Sequence, residues 1–169
     1  MQFTISTERL TLSPLNTTDA RFIFELVNTE GWLEFIGNRN IGSEAKAIPY
    51  IQKILDNPNV TYWVVRLNDT GIPIGVITYI KRDYLEHKDI GFAFLPAFAK
   101  QGYAIEATKA VLNKLVSEQG LSNVLATTIP KNISSITLLK KLGFTFNKEL
   151  LINDEMLHVY ETSADNLIL

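Results

Sequence analysis

The sequence predicts an α/β fold in which a mixed β-sheet carries helices on both faces, and three observations support that prediction. The 169 residues are 46% apolar and 20% charged, which is typical of a globular chain with a sizeable core. Strand-like stretches share the chain with amphipathic helical stretches. Their order is a strand, two helices, three strands, a helix, a strand, a helix and two strands, which fits a mixed sheet between helical layers. We expect a single domain over residues 1–169.

The first elements are a short strand and two helices. Residues 10–13 alternate apolar and polar side chains before Pro14 and predict a strand. The N-cap side chains at 17–19 predict a first helix. A second helix is predicted from Ser43 to the Asn-Pro-Asn turn at 57–59, with Pro49 in its first two turns. The segment 32–37 between the helices is compatible with a short helix or a loop.

Three strands follow, at 62–67, 72–80 and 90–95. Gly71 provides the turn between the first two, where a positive φ is available to it. The pair Arg82-Asp83 after the second strand is interpreted as a salt-bridged turn. Pro96 ends the third strand.

The second half contains two helices, one strand and a terminal hairpin. A helix is predicted from Gly102-Tyr103 to the C′ glycine Gly120, and a strand at 124–128. A short helix at 133–142 ends at Gly143. Residues 144–146 and 157–160 are then predicted to form a hairpin around 153–155.

Composition excludes several classes of function. The formal net charge of −2 and the lack of a basic run argue against a direct nucleic-acid ligand. The chain has no cysteine, so disulfides, thiolate nucleophiles and cysteine-based zinc sites are impossible. No apolar run reaches the roughly 20 residues that span a bilayer, and the first residues do not resemble a signal peptide. We therefore expect no membrane partner and a cytoplasmic location. His87 and His158 lie too far apart in sequence to suggest a metal site.

Two loop-to-helix junctions carry the functional signal. The first is residues 99–107, where Gly102 lets the backbone approach a ligand and Lys100 adds a cation. The second is residues 132–144, where Asn132 and Ser135 lie on one face at i, i+3 spacing. The first amides of a helix lack intrahelical partners and bind anions such as phosphate. Each junction alone also fits a structural role, namely a glycine turn or N-capping by Asn132. The two together predict an anionic cofactor.

With these residues the chain resembles the GCN5-related N-acetyltransferases (GNAT), in the ribosomal-protein N-terminal acetyltransferase (RimJ/RimL-type) branch. The opening Thr7-Glu8-Arg9-Leu10, with Leu12, Pro14-Leu15 and Asp19-Ala20, is similar to the start of that branch. Gly102-Tyr103-Ala104 and Glu106-Ala107 match its cofactor loop. The matches to its Asn-x-x-Ser and Lys-x-Gly-Phe signature are Asn132, Ser135, Leu138, Lys141, Gly143 and Phe144. Ala99 and Lys100 depart from the usual loop, and Lys100 offers a replacement for the missing side-chain contact.

The resemblance implies a GNAT fold with about seven strands, largely antiparallel and split by the cofactor, and about four helices. It implies acetyl-CoA as cosubstrate and no metal. The strand residues Phe92, Ala93 and Phe94 would hold the pantetheine arm. Lys100 and the amides of Gln101, Gly102, Tyr103 and Ala104 would hold the pyrophosphate, and Asn132, Ser135 and Lys141 would lie on the other side. Ser135 would protonate the leaving thiolate.

The sequence indicates the amine substrate and the general base less clearly than the cofactor. Asp89 and Glu155 are the leading candidates for a general base, and Glu86, His87 and Asp154 are further ones. His158 is expected to be a sheet residue. Trp32, Phe35 and Arg39 stand where this family builds its acceptor wall, with a core aromatic pair and an exposed arginine as the alternative.

The expected reaction is direct attack by an amine in a ternary complex, because no cysteine is available for a covalent intermediate. A protein α-amine, with a pKa of roughly 7.7–8.0, is a suitable acceptor. Acetylation of a small amine such as a polyamine, amino acid or antibiotic remains an alternative, as does a non-catalytic CoA-binding module. Both monomer and homodimer are compatible with the sequence.

Overall fold

The structure is a computed structural model that describes residues 3–169. Over those residues it contains one mixed sheet of eight strands. The strands are β1 (Ile5–Ser6), β2 (Leu10–Pro14), β3 (Val60–Leu67), β4 (Pro73–Ile80), β5 (Asp89–Phe94), β6 (Asn123–Thr128), β7 (Thr145–Ile152) and β8 (Glu155–Ser163). The helices are α1 (Ala20–Val27), α2 (Glu30–Phe35), α3 (Glu44–Leu55), α4 (Tyr103–Gln119) and α5 (Ile133–Lys141). Short 3₁₀ turns precede α1 and α4.

The strand order is β1-β2-β3-β4-β5-β6-β8-β7. In the described part of the chain every neighbouring pair is antiparallel except β5 and β6, which are parallel and pair only at Asp89 and Leu125. Beyond that position the two strands lie apart. The sheet is therefore continuous at its two ends and open in the middle, at the carboxyl end of β5.

Helices cover both faces of the sheet, as the element order predicts. Successive strand residues point to opposite faces, so Trp63 and Val65 pack with α4 and α5, whereas Val64 packs with α1, α2 and α3. Leu112 and Leu115 of α4 are fully buried on the first face. Two apolar layers thus cover the open sheet on both faces.

The structure adds two elements to the predicted seven strands and four helices. The first is β1, whose two residues are too few to show a pattern. The second is α2, which resolves the ambiguous segment in favour of a helix; the Thr29 hydroxyl accepts a hydrogen bond from the Trp32 amide at its start. The predicted helix through Pro49 is confirmed, since α3 continues past it.

The terminal hairpin is longer than predicted. Strand β7 extends to Ile152, and β8 extends to Ser163. Most of β7 is exposed because it forms the edge of the sheet, so its polar residues give no apolar alternation to detect. The interpretation of Arg82-Asp83 as a salt-bridged pair is also wrong: Arg82 pairs with Asp89 instead. None of the helices described is long and apolar enough to cross a membrane.

Candidate active site

A deep cleft opens where β5 and β6 separate. It has a volume of about 1060 Å³ and extends from α2 across the sheet to the starts of α4 and α5 and the tip of the β7–β8 hairpin. We call it the cleft throughout. Phe92, Ala93 and Phe94 of β5 line its centre.

Backbone groups of β5 face the cleft in alternation. The Leu95 amide, directly after β5, donates to the Ile74 carbonyl of β4 (2.8 Å), and the Leu125 amide of β6 donates to the Lys88 carbonyl, directly before β5 (3.0 Å). Because successive strand residues turn their backbone groups to opposite edges, Ala93 faces β4 while Phe92 and Phe94 face the gap left by β6. The cleft therefore contains strand donors and acceptors with no neighbouring strand to bind them.

The second wall is the loop at 99–102 before α4, which we call the α4 entry loop. Lys100 and Gly102 both adopt left-handed backbone, with φ of 60° and 82°. Gly102 is the N-cap of α4, and no side chain within the described chain caps the helix. Its first amides are thus available to an anion, which is the arrangement that binds phosphate. Lys100, Gly102, Tyr103 and Ala104 line the cleft, whereas Gln101 does not.

Arg9 holds the α4 entry loop from behind. Its Nη1 donates to the Gln101 carbonyl (3.0 Å), its Nε donates to Glu106 Oε1 (2.8 Å), and its guanidinium lies 4.3 Å from the centre of the Tyr103 ring. Thr7 Oγ1 donates to the other Glu106 oxygen (2.6 Å). Partial burial alone would raise the pKa of Glu106, but the bonds from Thr7 and Arg9 hold it below its ordinary value. The opening and loop motifs of the sequence are therefore in contact.

The start of α5 forms the opposite side. The Asn132 side-chain oxygen accepts a hydrogen bond from the Ser135 amide (3.3 Å), so Asn132 caps the helix as the structural reading of the sequence predicts. Ser135 is half-buried, and its hydroxyl makes no hydrogen bond to a residue in the range 3–169. Asn132, Ser135 and Lys141 all line the cleft.

Asp89 is a buried, anchored carboxylate. It is 3% exposed, and its two oxygens accept from Arg82 Nε (3.0 Å) and from Thr127 Oγ1 (3.3 Å). Burial raises the pKa of Asp89 above its ordinary value, and the two partners offset this only in part. Thr127 lies on β6, so this group joins the split strands at the one point where they pair.

The remaining base candidates are solvent-exposed. Glu155 lines the cleft at the hairpin tip, whereas Asp154, Glu86 and His87 are exposed and lie outside its lining. His158 is a sheet residue of β8 as predicted, with Nε2 3.2 Å from Glu149 of β7.

Trp32, Phe35 and Arg39 meet at the far end of the cleft, with α2 as their support. Trp32 is 5% exposed, and its Nε1–H has no hydrogen-bond partner among residues 3–169. The Arg39 guanidinium lies 5.8 Å from the centre of the Trp32 ring. Sequence reasoning missed Tyr62, Thr78 and Tyr84, which line the same end. Strand periodicity alone does not show which face of β3 or β4 meets a cleft.

Comparison with known proteins identifies relatives of this arrangement. Residues 9–145 match the family model described as an acetyltransferase (GNAT) domain. An uncharacterized N-acetyltransferase of Bacillus subtilis (strain 168), YnaD, is 30% identical over 140 residues, which cover 82% of this chain and 81% of that protein. A second uncharacterized N-acetyltransferase of Bacillus subtilis (strain 168), YoaA, is 28% identical to this chain over 144 residues, which cover 83% of this chain and 81% of that protein.

Solved structures show the same fold. A GNAT-family acetyltransferase from Bacillus anthracis superimposes with a TM-score of 0.81 at 22% identity, covering 96% of this chain and 99% of that one. A ribosomal-protein-S5-alanine acetyltransferase from Vibrio fischeri superimposes with a TM-score of 0.80 at 19% identity, covering 99% and 100%.

Proposed function

Because this chain belongs to the GNAT acetyltransferase family and is an N-acetyltransferase, we propose that it transfers the acetyl group of acetyl-CoA to the α-amine of a protein or peptide. GNAT acetyltransferases use acetyl-CoA. The observation that carries the cosubstrate part of the proposal is that two unpaired sets of backbone groups, those of Phe92 and Phe94 and those of the α4 entry loop, lie in one cleft. The Vibrio fischeri relative supports a RimJ/RimL-type branch.

The cleft fits an extended, anionic cosubstrate. The uncapped first turn of α4 and Lys100 offer amides and a cation for a diphosphate, and Gly102 leaves room for its approach. The unpaired backbone N–H and C=O groups of Phe92 and Phe94 are suited to hydrogen bonds with the amides of the pantetheine arm. Bound acetyl-CoA supplies an activated thioester. We assign the pyrophosphate to residues 100–104 and the arm to residues 92–94, with Asn132 and Lys141 on the opposite side.

Chain residues then provide the proton transfers. The Ser135 hydroxyl has no partner among the described residues, so it is available to donate a proton to the leaving thiolate and to recover one from solvent water. Glu155 is the carboxylate of the cleft that no described residue pairs, so it is the better placed of the two leading bases to accept a proton, through water. Asp89 is bound on both oxygens and holds β5 to β6. An α-amine, with a pKa of roughly 7.7–8.0, needs only a modest base.

The test is thiol release from acetyl-CoA with a panel of N-terminal peptides and small amines. We expect peptide acetylation with sequential kinetics, whereas a ping-pong pattern would contradict direct transfer. Ser135→Ala should lower kcat by about 100-fold or more with little change in the KM for acetyl-CoA. Ser117→Ala removes the hydroxyl of an exposed serine of α4 that lies outside the cleft lining, and this control should keep its activity.

Acetylation of a small amine is the second candidate, and the same panel decides between the two. We place a single N-acetyltransferase domain over residues 1–169, acting in the cytoplasm as a monomer or homodimer, within the same proposal.

A further inference from the structure

We propose that the acceptor carries a carboxylate near its amine, and that Arg39 and Trp32 bind it. This inference rests on the proposed function and deepens it by naming the acceptor class. It follows from the chemistry of the cleft end formed by α2 and β3.

That end of the cleft contains two donors without a partner in the described chain, one of which is closed to solvent. The indole Nε1–H of Trp32 is buried and has no partner within the described chain, and such a group is costly to leave unsatisfied. Arg39 lies over the same ring, and no carboxylate of residues 3–169 pairs with it. An arginine fork and an indole N–H are complementary to a carboxylate.

The Tyr62 hydroxyl lies close enough to Arg39 and Arg82 for their positive charges to affect its pKa. Burial and the neighbouring Tyr50 raise the pKa of Tyr62, and the charges of Arg39 and Arg82 oppose that rise. The phenol therefore keeps its proton at neutral pH and adds no negative charge at this end of the cleft. Arg82 is neutralised by Asp89 at 3.0 Å, which leaves Arg39 as the uncompensated charge at this end.

The same inventory disfavours a polyamine. A second cationic group on the acceptor would need a carboxylate, and Asp89 and Glu155 are the two that line the cleft. Asp89 is buried and paired with Arg82, and Glu155 belongs to the hairpin tip. At the end formed by α2, the positive charge of Arg39 attracts the carboxylate of an acidic acceptor and repels the cations of a polyamine.

The experiment compares two peptides that differ only in the charge of one side chain, and adds a polyamine. Ser-Glu-Ala-amide and Ser-Gln-Ala-amide have the same reacting amine and length, and spermidine represents the polyamines. We expect kcat/KM at least tenfold higher for the glutamate peptide, and no spermidine turnover above background. Arg39→Ala should reduce the preference to less than threefold. Arg21→Ala removes an exposed arginine of α1 and should leave the preference intact.

Binding provides a readout without turnover. Fluorescence titration of the CoA-saturated protein with both peptides should show the same preference, and Trp32→Phe, which keeps a ring and removes the donor, should weaken it. Equal values for the two peptides, or a preference that survives Arg39→Ala, would overturn the inference. Acid-selective binding without thiol release on any amine would instead refute the transferase proposal and leave the anion site standing.

A separate set of contacts supports a second inference: we infer that Arg9 is a positioning residue for the α4 entry loop. Arg9 donates to the carbonyl of Gln101, which lies outside the cleft lining, and its pair with Glu106 fixes the first turn of α4. Arg9 itself does not line the cleft. The loop holds two left-handed residues, and a fixed loop keeps its amides directed toward one point.

Calorimetry with CoA and dephospho-CoA tests this role. Both carry the diphosphate, and only CoA carries the 3′-phosphate. Arg9→Ala should weaken both about equally, by five- to tenfold, and should speed amide exchange at residues 100–104 in the free protein. A loss confined to CoA would show direct contact with the 3′-phosphate and refute the positioning role. Unchanged affinity or unchanged exchange would also refute it, with Arg21→Ala as the control for loss of one positive charge.

Discussion

Asp89 is a carboxyl group whose environment is set by residues distant from it in sequence. Its neighbours in the chain, Lys88 and Ile90, do not determine its protonation. Arg82 from the loop after β4 and Thr127 from β6 bind its oxygens, and burial raises its pKa. The protonation of Asp89 is therefore determined by the junction between β5 and β6 and not by a local turn.

Removing Arg82 should make stability depend more strongly on pH. Arg82→Ala leaves the Asp89 carboxylate buried without its cation, at a cost of about 2 kcal/mol near neutral pH after allowance for the partial exposure of the arginine. The pKa of Asp89 rises further in the variant, so folding binds a proton and stability falls as pH rises through that pKa. Thermal melts at pH 4 and pH 8 should show the smaller deficit at pH 4. A deficit that is larger at pH 4 would contradict this assignment.

Gly143 is required for both its backbone angle and its lack of a side chain. Its φ is 95°, and a Cβ there would lie 2.3 Å from the Asn166 carbonyl oxygen. Gly143→Ala should therefore cost about 3 kcal/mol or more, measured by denaturant unfolding. Gly71→Ala separates the two effects, since its φ is 72° but nothing lies within 4 Å of its Cβ position. It should cost only about 1–2 kcal/mol.

At the scale of elements, the helix starts have different roles. Helix α5 is capped by Asn132, as most helices are, whereas α4 starts at a left-handed glycine with no capping side chain within the described residues. A side-chain cap satisfies one of the free amides at a helix start, whereas a start without a cap leaves that amide available to a ligand or to water.

Asn132 allows capping and cofactor contact to be separated. Asp is as good an N-cap as Asn, so Asn132→Asp should leave the melting temperature unchanged while placing a negative charge beside the proposed cosubstrate. We expect at least fivefold weaker CoA binding by calorimetry. Asn132→Ala should lose about 1 kcal/mol of stability through the cap. Unaltered CoA affinity in Asn132→Asp would mean that the residue is a cap alone.

At the scale of the whole molecule, the gap between β5 and β6 leaves backbone groups available to a ligand. A continuous parallel pairing of β5 and β6 would satisfy the groups of Phe92 and Phe94 and close the cleft. Beyond Asp89 and Leu125, at the carboxyl end of β5, the two strands do not pair, and helices pack on both faces of the sheet. A ligand that completes the hydrogen bonding of the sheet should therefore also stabilise the fold.

CoA should raise the melting temperature in a concentration-dependent manner. Saturation at about 100 times the Kd corresponds to about 2.7 kcal/mol. Hydrogen exchange should locate the effect: the amides of Phe92 and Phe94 should become protected, whereas that of Ala93, which faces β4, should be protected with or without CoA. Protection by CoA confined to other strands would contradict the proposed position of the arm.

Much of the architecture could be predicted because the responsible signals are local. Strands β3 to β6 and helices α1, α3, α4 and α5 each carry their own periodicity and end signals. The edge strand β7 could not be delimited, because an exposed edge imposes no apolar alternation. The sequence suggests the adjacent Asp83 as the partner of Arg82, but Arg82 pairs with Asp89, because a sequence shows neighbours and not the contacts made in the folded sheet.

By itself, the sequence determined the order of the elements, the absence of cysteine chemistry and the two helix starts that resemble those of an acetyltransferase. Only the tertiary structure decided which groups remain unpaired: the strand edges of Phe92 and Phe94, the amides of the α4 entry loop and the indole of Trp32. The reason is that periodicity and capping are properties of consecutive residues. Whether a polar group has a partner depends on segments that meet only when the chain folds.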